Sequence, residues 1–422
     1  MRICFLSRRY FPAISGMSVY AQNYLKELVR LKHDVVMISQ YRNDEAGTKI
    51  YGGGPPPLID GVEVLGLEAL GEQRVNSGEP ANFEMDFQTM VDAAMEFHGR
   101  IPFDIVHAQY GYPNGLAALE ISRRTGIPNV VSIQGGDGHW VGLCCDTHQR
   151  AIRAVFDRAN ELIIGSPSFA EEVHENHGTP LARFTIIPGA INADHFRPRV
   201  DRALGEIGPC PTLLYHGRVD RRKGVLELIE AAERLHSQGR KFRLVVSGIG
   251  PDLDAAKELC ASKALNDIIE FTGYVSYAEA PEIYRAADMF ISPTWSEGFS
   301  NTILEAMASG LPIVAARAIG VVDCLTGGEN ALFHEIHDVE GLTQQIVTML
   351  DDAPLCRRLA ENALKEIQTK YRWPVIAAQI VERLHHICSH PPDNRWTESY
   401  DPETTLANAD LTCRFRQFPH LL

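Results

Sequence analysis

The sequence predicts an α/β protein made of two doubly wound, mostly parallel sheets in tandem. Short apolar runs typical of buried strands alternate with segments of helical period, which is the pattern of a sheet covered by helices on both faces. The alternation stops at a polar, turn-rich stretch, residues 188–211, and then restarts. A chain of 422 residues has room for two such domains.

The first half opens with a strand and an amphipathic helix. Gly16 to Leu31 has a helical period, with Tyr20, Tyr24 and Leu28 on one face. The glycine- and proline-rich run 52–57 predicts a loop, because neither a helix nor a strand accommodates it. Strands are predicted at 3–6, 34–39, 105–107, 130–133, 162–164 and 184–187.

The second half repeats the pattern. Strands are predicted at 213–215, 244–246, 268–271, 288–291 and 313–316, with helices at 223–236, 252–265 and 278–287 between them. Residues 371–374 break the helical pattern before a last helix at 375–388. The tail that follows, 389–422, is polar and has no periodicity, so it is expected either to be disordered or to lie over one domain.

Charge and composition limit the possible partners. The net charge of -14 argues against nucleic acid, because phosphate binding requires a basic face. It weakens, without excluding, a peripheral contact with anionic lipid. No apolar run approaches the roughly 18 residues that a membrane helix needs.

The expected location is the cytoplasm. Residues 7–11 superficially match a twin-arginine export signal, but the following residues 12–18 are not apolar enough to continue it. The nine cysteines are an odd number without a C-x-x-C pair, which favours reduced thiols over a disulfide framework. Cys144-Cys145 are interpreted as two loop thiols, and no zinc site is predicted.

The most informative stretch is 292–312, which lies between two predicted strands. Glu297 sits in the loop, and Glu305 sits in the helix that Ser300 is expected to cap. A helix N-terminus offers backbone N–H groups to an anion, whereas carboxylates suit vicinal sugar hydroxyls. The combination indicates a nucleotide-sugar site. The alternative is a plain crossover with solvated acids.

Glycines follow four predicted strands of the second half. Gly217, Gly248, Gly273 and Gly298 each lie at a strand's carboxyl end, where open α/β sheets bind their ligands. Glycine permits close approach of the backbone. Together with the two glutamates, these loops predict one site at one sheet edge.

These residues resemble a known enzyme family. Glu297 and Glu305 form an E-x7-E pattern which, with residues 298–299, 305–310 and Pro312, resembles the family-4 retaining glycosyltransferases of the GT-B fold. The resemblance covers residues 1–388. It implies two Rossmann-like domains facing a central cleft: an acceptor-binding domain, 1–195, and a nucleotide-sugar-binding domain, 196–370. A helix, 371–388, would cross back to the first domain before the irregular tail, 389–422.

The resemblance assigns roles in the second domain. Arg218 and Lys223 match the diphosphate-binding pair, whose charge stabilises the leaving group most strongly in the transition state. The alternative for these two is a solvated basic turn. Glu297 would hold the sugar and is, with Arg218 and Lys223, one of the three predicted catalytic residues. Glu305 would bind the ribose hydroxyls. The remaining donor-binding candidates in this domain are Gly248, Gly273, Tyr274, Val275, Phe299, Ser300 and Asn301.

The match is looser in the first domain. Gly16 opens a helix where many relatives have two glycines, and it is a donor-binding candidate beside Gln134. Relatives often have a histidine at the position of Gln134, which cannot act as a base. The acceptor site is expected around 41–82 and 109–145. Its candidate contacts are His107, Gln109, Asp137 and His139; a structural role remains open for both histidines and for Asp137.

Two metal-like patterns have local explanations. Asp252-Leu253-Asp254 spells the D-x-D of metal-dependent glycosyltransferases of another fold, but it opens a helix and is expected to cap it. The cluster 334–338 lacks a third ligand, so a solvated turn is expected there. Neither a metal nor another cofactor is predicted.

The expected function is transfer of a hexose from a nucleoside diphosphate sugar, UDP before GDP, with retention at the anomeric carbon. The acceptor is a hydroxyl group on a glycan, a lipid-linked sugar or a small metabolite. The alternatives are a nucleotide-sugar epimerase on the same fold and a non-catalytic sugar-nucleotide binding protein.

Overall fold

The computed structural model describes residues 1–12, 15–43, 53–401 and 412–418. The chain forms two compact units, the first made of Met1–Pro188 and Ile376–Leu422 and the second of Gly189–Val375. The sequence placed the domain boundaries at 195–196 and 370–371. Part of the predicted loop at 52–57 and of the predicted acceptor region, residues 44–52, lies outside the described residues.

The first unit contains a seven-stranded parallel sheet in the order β3-β2-β1-β4-β5-β6-β7. Its central strands are buried throughout, as a sheet covered on both faces requires. Ile3 of β1 lies opposite both Val35 of β2 and Ile105 of β4. The strands are β1 (Arg2–Arg8), β2 (Asp34–Tyr41), β3 (Val62–Glu68), β4 (Ile105–Gln109), β5 (Asn129–Ile133), β6 (Glu161–Ile164) and β7 (Phe184–Ile186).

Five longer helices pack on this sheet. The first begins after Ser15, whose side chain accepts a hydrogen bond from the Ser18 amide, and it buries Tyr24 and Leu28 as its periodicity predicts. The helices are α1 (Gly16–Arg30), α2 (Phe83–Arg100), α3 (Leu116–Thr125), α4 (Asp146–Arg158) and α5 (Pro167–His177). Single helical turns occur at Leu70–Gln73 and Gly136–His139.

The second unit contains a six-stranded parallel sheet in the order β10-β9-β8-β11-β12-β13. The strands are β8 (Thr212–His216), β9 (Arg243–Ser247), β10 (Ile269–Gly273), β11 (Met289–Ser292), β12 (Ile313–Ala316) and β13 (Leu332–His334). The helices are α6 (Val225–Ser237), α7 (Leu253–Ser262), α8 (Ala280–Ala286), α9 (Asn301–Ala308), α10 (Val339–Asp351) and α11 (Ala353–Thr369). The last helix, α12 (Trp373–Ile387), begins at the end of the second unit and belongs to the first unit from Ile376 onward.

Both sheets reverse their strand order at one place. In the first sheet the chain runs outward from β1 to β3 and then returns to β4 on the other side of β1; in the second sheet, β8 and β11 have the same relation. Such switch points leave a crevice outside the carboxyl ends of the two central strands, where ligands bind in doubly wound sheets. The fold therefore marks one candidate position in each unit.

The strand predictions agree closely with the structure, which adds the strands β3 and β13 and the helices α2 to α5, α10 and α11. The edge strand β3 has no fully buried residue, and Glu63 and Glu68 limit its apolar run to four residues. The described part of the tail packs against the first unit rather than extending into solvent: Trp396, Tyr400 and Phe415 are almost completely buried. None of the helices in the described ranges combines the length and the apolar character needed to cross a bilayer.

Candidate functional site

Two of the predicted catalytic residues meet at the switch point of the second unit. Lys223 follows β8 and Glu297 follows β11, and these strands are hydrogen-bonded neighbours. Lys223 Nζ lies 2.8 Å from Glu297 Oε1 and donates to the carbonyl oxygen of Ser296 at 3.1 Å. Residues 74 positions apart in sequence thus form an ion pair at the sheet edge where ligands are expected.

Arg218, which also follows β8, is in contact with groups that the sequence analysis did not single out. The Tyr215 hydroxyl donates to the Arg218 carbonyl oxygen at 2.5 Å, and Arg218 Nε lies 3.5 Å from an Asp220 carboxylate oxygen. Burial raises the pKa of Asp220, but hydrogen bonds from Arg222 outweigh it and lower that pKa to about 2. Asp220 is therefore a permanent anion that orients Arg218.

The glycines after β8, β9 and β10 let three loops touch through their backbones. The Gly217 amide donates to the Ser247 carbonyl oxygen at 3.0 Å, and the Gly248 amide donates to that of Gly273 at 2.9 Å. A Cβ atom at Gly248 would lie 1.8 Å from the Gly217 carbonyl oxygen, and Gly248 has a φ of 139°. Only glycine fits at this position. Beyond Gly273, the side chain of Tyr274 is 44% exposed.

Glu305 lies in α9 with its carboxylate buried. It accepts a hydrogen bond from the Tyr284 hydroxyl at 2.7 Å. Burial raises the pKa of Glu305 to about 7, against the opposing effect of that hydrogen bond. Tyr284 also packs edge-on against His216, whose pKa burial lowers to about 4. Tyr284 and His216 are thus neutral neighbours of the glutamate, and no cation among the described residues forms an ion pair with it.

The sequence analysis did not identify Tyr284 or His216 as candidate site residues. Tyr284 falls within the helical segment predicted at 278–287, and His216 directly follows the strand predicted at 213–215. In such positions a polar side chain cannot be told from a core residue by periodicity. The only sequence signal for the group formed by Glu305, Tyr284 and His216 was the prediction that Glu305 binds ribose hydroxyls.

The start of α9 differs from expectation. Ser300 occupies the N-cap position, but its hydroxyl accepts no hydrogen bond from the helix backbone and instead lies 3.3 Å from Thr302 Oγ1. The prediction that Ser300 caps the helix through its side chain is therefore wrong. Phe299 packs beside Gly189, where a Cβ atom would come within 2.6 Å of its ring.

At the switch point of the first unit, Gln109 connects three elements. Gln109 accepts a hydrogen bond from the Ser7 hydroxyl of β1 at 3.0 Å and donates to the Met17 carbonyl oxygen of α1 at 2.9 Å. It also donates to Gln134 Oε1 at 2.9 Å. The structure thus brings Gln109 and Gln134 together near Gly16, the residue before Met17. Gln109 is completely buried, so it acts there as a support.

The other candidate acceptor contacts are also interior groups. His107 Nε2 lies 2.8 Å from Ser132 Oγ and its Nδ1 lies 3.2 Å from the Tyr24 hydroxyl; burial lowers its pKa to about 3. His139 Nδ1 lies 2.7 Å from Glu172, and the side chain is 6% exposed. These placements favour the structural alternative for both histidines.

Asp137 organises the loop after β5. Its fully buried carboxylate accepts hydrogen bonds from the backbone amides of Gly111, Gln134 and Gly135. Burial raises the pKa of Asp137 to about 6, and these three bonds oppose the shift. The residue therefore shapes the loop that carries Gln134 and does not present itself to an acceptor.

The two metal-like sequence patterns have internal partners. The Asp252 carboxylate accepts from the Arg221 amide at 2.8 Å and pairs with the Arg221 guanidinium at 2.7 Å, so the predicted capping of α7 by its side chain is not made. His334 Nδ1 lies 2.8 Å from the Glu335 carbonyl oxygen, and His337 Nδ1 lies 3.1 Å from Glu227. Within the described ranges, neither pattern assembles three metal ligands.

Solved structures define the class of fold. The chain matches sucrose-phosphate synthase from Thermosynechococcus elongatus with a TM-score of 0.76 at 20% identity, covering 92% of this chain and 98% of the other. It matches HepE of Anabaena, solved with UDP and glucose, with a TM-score of 0.71 at 18% identity, covering 92% and 100%. Two doubly wound parallel sheets with these neighbours define a GT-B glycosyltransferase fold.

Sequence models then identify the family. The model for glycosyl transferase 4-like domains matches residues 15–190, and that for glycosyl transferases group 1 matches residues 197–366. The chain is 27% identical to the glycogen synthase of Mycobacterium tuberculosis over 403 residues, covering 89% of this chain and 92% of the relative. It is 27% identical over 308 residues to a D-inositol 3-phosphate glycosyltransferase of Arthrobacter, covering 68% and 71%. The chain belongs to the group 1 glycosyltransferases.

Proposed function

We propose that this glycosyltransferase moves a hexose from a nucleoside diphosphate sugar, UDP before GDP, to a hydroxyl acceptor with retention at the anomeric carbon. The observation that carries the proposal is the Lys223–Glu297 ion pair at the switch point of the second sheet. The preference for UDP is supported by the neighbouring HepE structure, which contains UDP.

The positively and negatively charged residues would bind different parts of the donor. A diphosphate is attracted by Lys223 and Arg218 and repelled by Glu297, so the carboxylate is left to accept hydrogen bonds from sugar hydroxyls. Lys223 would exchange its contact with Glu297 for a phosphate oxygen when the donor binds. Glu305 would take the ribose hydroxyls, because two vicinal donors suit one carboxylate.

The proposal that the anomeric configuration is retained is supported by the chemistry of two candidate residues of the first unit. Gln134 cannot take a proton, and the Asp137 carboxylate is buried with its oxygens bonded to three amides. We therefore assign the proton to the donor. The acceptor oxygen bonds to the anomeric carbon while the bond from that carbon to the phosphate oxygen breaks, and the departing phosphate oxygen receives the acceptor's proton on the same face.

A donor panel tests this function. Purified protein is incubated with UDP-hexoses and GDP-hexoses, each with and without mixed glycan, lipid-linked and small-molecule acceptors, and nucleotide release and sugar products are measured by NMR. We expect acceptor-dependent release of UDP and a product with the donor's anomeric configuration. An epimer formed without acceptor would indicate an epimerase, and tight binding without turnover of any donor would indicate a binding protein.

We further expect transfer to need no divalent metal. The negative charge that develops on the leaving diphosphate is met by Lys223, Arg218 and the backbone at the start of α9, so a metal is not required for that purpose. Transfer rates with and without EDTA in the assay check this. The control is Asp252→Asn, which removes the D-x-D ligand and should leave the rate unchanged. Restoration of a lost rate by Mn²⁺, or a folded but inactive Asp252→Asn, would contradict the expectation.

A further inference from the structure

Four potential metal ligands converge in the first unit, away from the patterns considered above. The sulfur atoms of Cys144, Cys145 and Cys413 and a ring nitrogen of His148 all lie within 4.8 Å of one another. Cys145 is the N-cap residue of α4, and His148 lies one turn into that helix. Cys413 comes from the tail, 265 residues after His148.

The spacing matches a particular metal. Zinc binds thiolate sulfur at about 2.3 Å and imidazole nitrogen at about 2.0–2.1 Å in a tetrahedron, which places neighbouring ligand atoms about 3.6–3.8 Å apart. His148 Nδ1 lies 3.1 Å from Cys144 Sγ and 3.6 Å from Cys413 Sγ. A contraction of at most about 1 Å would bring the widest pair to the tetrahedral separation.

The surroundings of His148 support a ligand role. The residue is completely buried, and its ring is enclosed by those of Phe83, Tyr112 and Phe415. Nδ1 points at the sulfur atoms, whereas Nε2 has no hydrogen-bond partner in the described part of the chain. Thiols are weak hydrogen-bond donors, so without a cation this buried imidazole gains little from its neighbours.

The tail segment that carries Cys413 is fixed in the same place by other contacts. Arg416 is buried and forms a two-pronged ion pair with Glu84 at 2.6 and 2.9 Å. The Arg416 carbonyl oxygen accepts from the Ala81 amide at 2.7 Å. These bonds hold Cys413 next to the start of α4 independently of any metal. The position of the Cys413 thiol in the cluster is therefore fixed by the surrounding structure.

We propose that Cys144, Cys145, His148 and Cys413 bind one Zn²⁺ ion and thereby fasten the C-terminal tail to the first unit. Three sulfurs and one nitrogen complete a tetrahedron and leave no open position for a substrate, so the role is structural. Binding releases the thiol protons to solvent, because zinc takes cysteine as thiolate. The ion also closes a loop of 265 residues, which restricts the unfolded chain.

Metal content of the full chain tests the proposal directly. The protein is produced with zinc in the medium, desalted without chelator, and analysed by elemental mass spectrometry and native mass spectrometry. We expect one zinc per chain in the wild type and in Cys210→Ser, whose exposed thiol lies outside the cluster. Cys413→Ser should lower zinc affinity by more than the roughly 10- to 100-fold typical of residues that only orient a ligand.

A second measurement keeps the test decisive if Cys413→Ser fails to fold. Wild-type protein stripped of zinc and loaded with Co²⁺ should show the absorption of tetrahedral cobalt thiolate, and chelation should speed hydrogen exchange at Phe415 and Arg416. A wild type that holds no zinc, or one in which two of the three cysteines form a disulfide, would overturn the proposal. None of these readouts involves a sugar nucleotide, so they stand apart from the test of the transferase function.

Discussion

Replacing Lys223 with alanine lowers kcat for glycosyl transfer by about 100- to 1,000-fold, the loss typical when one preorganised group that meets developing negative charge is removed. Lys223 is a point charge at the sheet edge where the diphosphate is proposed to leave, and its present partner, Glu297, cannot replace it. Steady-state kinetics with the donor identified by the panel measures the effect.

The matched control is Lys257→Ala, which removes an equally charged but exposed side chain of α7 and should leave kcat unchanged. Lys223→Arg keeps the charge and should recover part of the rate. The melting temperature should scarcely move in Lys223→Ala, since a partly exposed ion pair contributes only about 0–1 kcal/mol. Unaltered kcat in a folded Lys223→Ala would remove Lys223 from the mechanism.

Replacing Glu305 with alanine weakens nucleotide binding by about 10- to 100-fold, because hydrogen bonds to a charged acceptor contribute about 1.5–3 kcal/mol. Titration calorimetry with UDP and GDP measures the change. The pKa of Glu305, raised to about 7, adds a pH signature: wild-type affinity should fall between pH 8 and pH 6 as the carboxylate is protonated. Glu305→Gln should lack that part of the dependence, and comparing the two proteins cancels the titration of the nucleotide's own phosphate.

The stability of the fold should depend on pH in the opposite direction to nucleotide affinity, falling as pH rises. A carboxyl group whose pKa is higher in the folded protein than in the unfolded chain destabilises the fold as pH rises from about 4.5 to about 7, and the penalty persists above that range. Glu305→Gln, which can still accept the Tyr284 hydrogen bond, should therefore be at least as stable as the wild type at pH 8 while binding nucleotide less tightly. If instead it melts earlier and binds equally well, Glu305 is a structural residue.

Sequence reasoning succeeded where the signal was local. Each glycine at a strand end is a signal local to one turn, and the spacing of Glu297 from Glu305 is local to one loop and helix. Together they predicted one site at the carboxyl edge of the second sheet, and the structure brings Lys223 and Glu297 together at that edge. Asp220, Tyr284 and His216 gave no such signal. Their roles depend on which neighbouring side chain each one faces, and periodicity does not carry that information.

Polar residues at strand ends were harder to interpret. His107, Gln109 and Asp137 were candidate acceptor contacts, with a structural role left open for His107 and Asp137, and each is completely buried among polar partners from other elements. A strand end fixes where the backbone lies, but not whether the side chain turns outward to solvent or inward to support a loop. The cysteine cluster was missed for a related reason, because its fourth member lies in a tail without any regular pattern.

The chain segments that form each unit affect the order in which the units are synthesised and the design of chimeras. The second unit is one continuous segment, Gly189–Val375, whereas the first is completed only by Ile376–Leu422, through bonds such as that between Arg383 and Glu161. Since a ribosome delivers the chain from its N-terminus, the inserted unit is entirely synthesised while its host still lacks a helix and the tail. Because the proposed donor site lies in the second unit, a chimera designed to change donor specificity should exchange residues 189–375 as one segment and keep 376–422 from the same parent as 1–188.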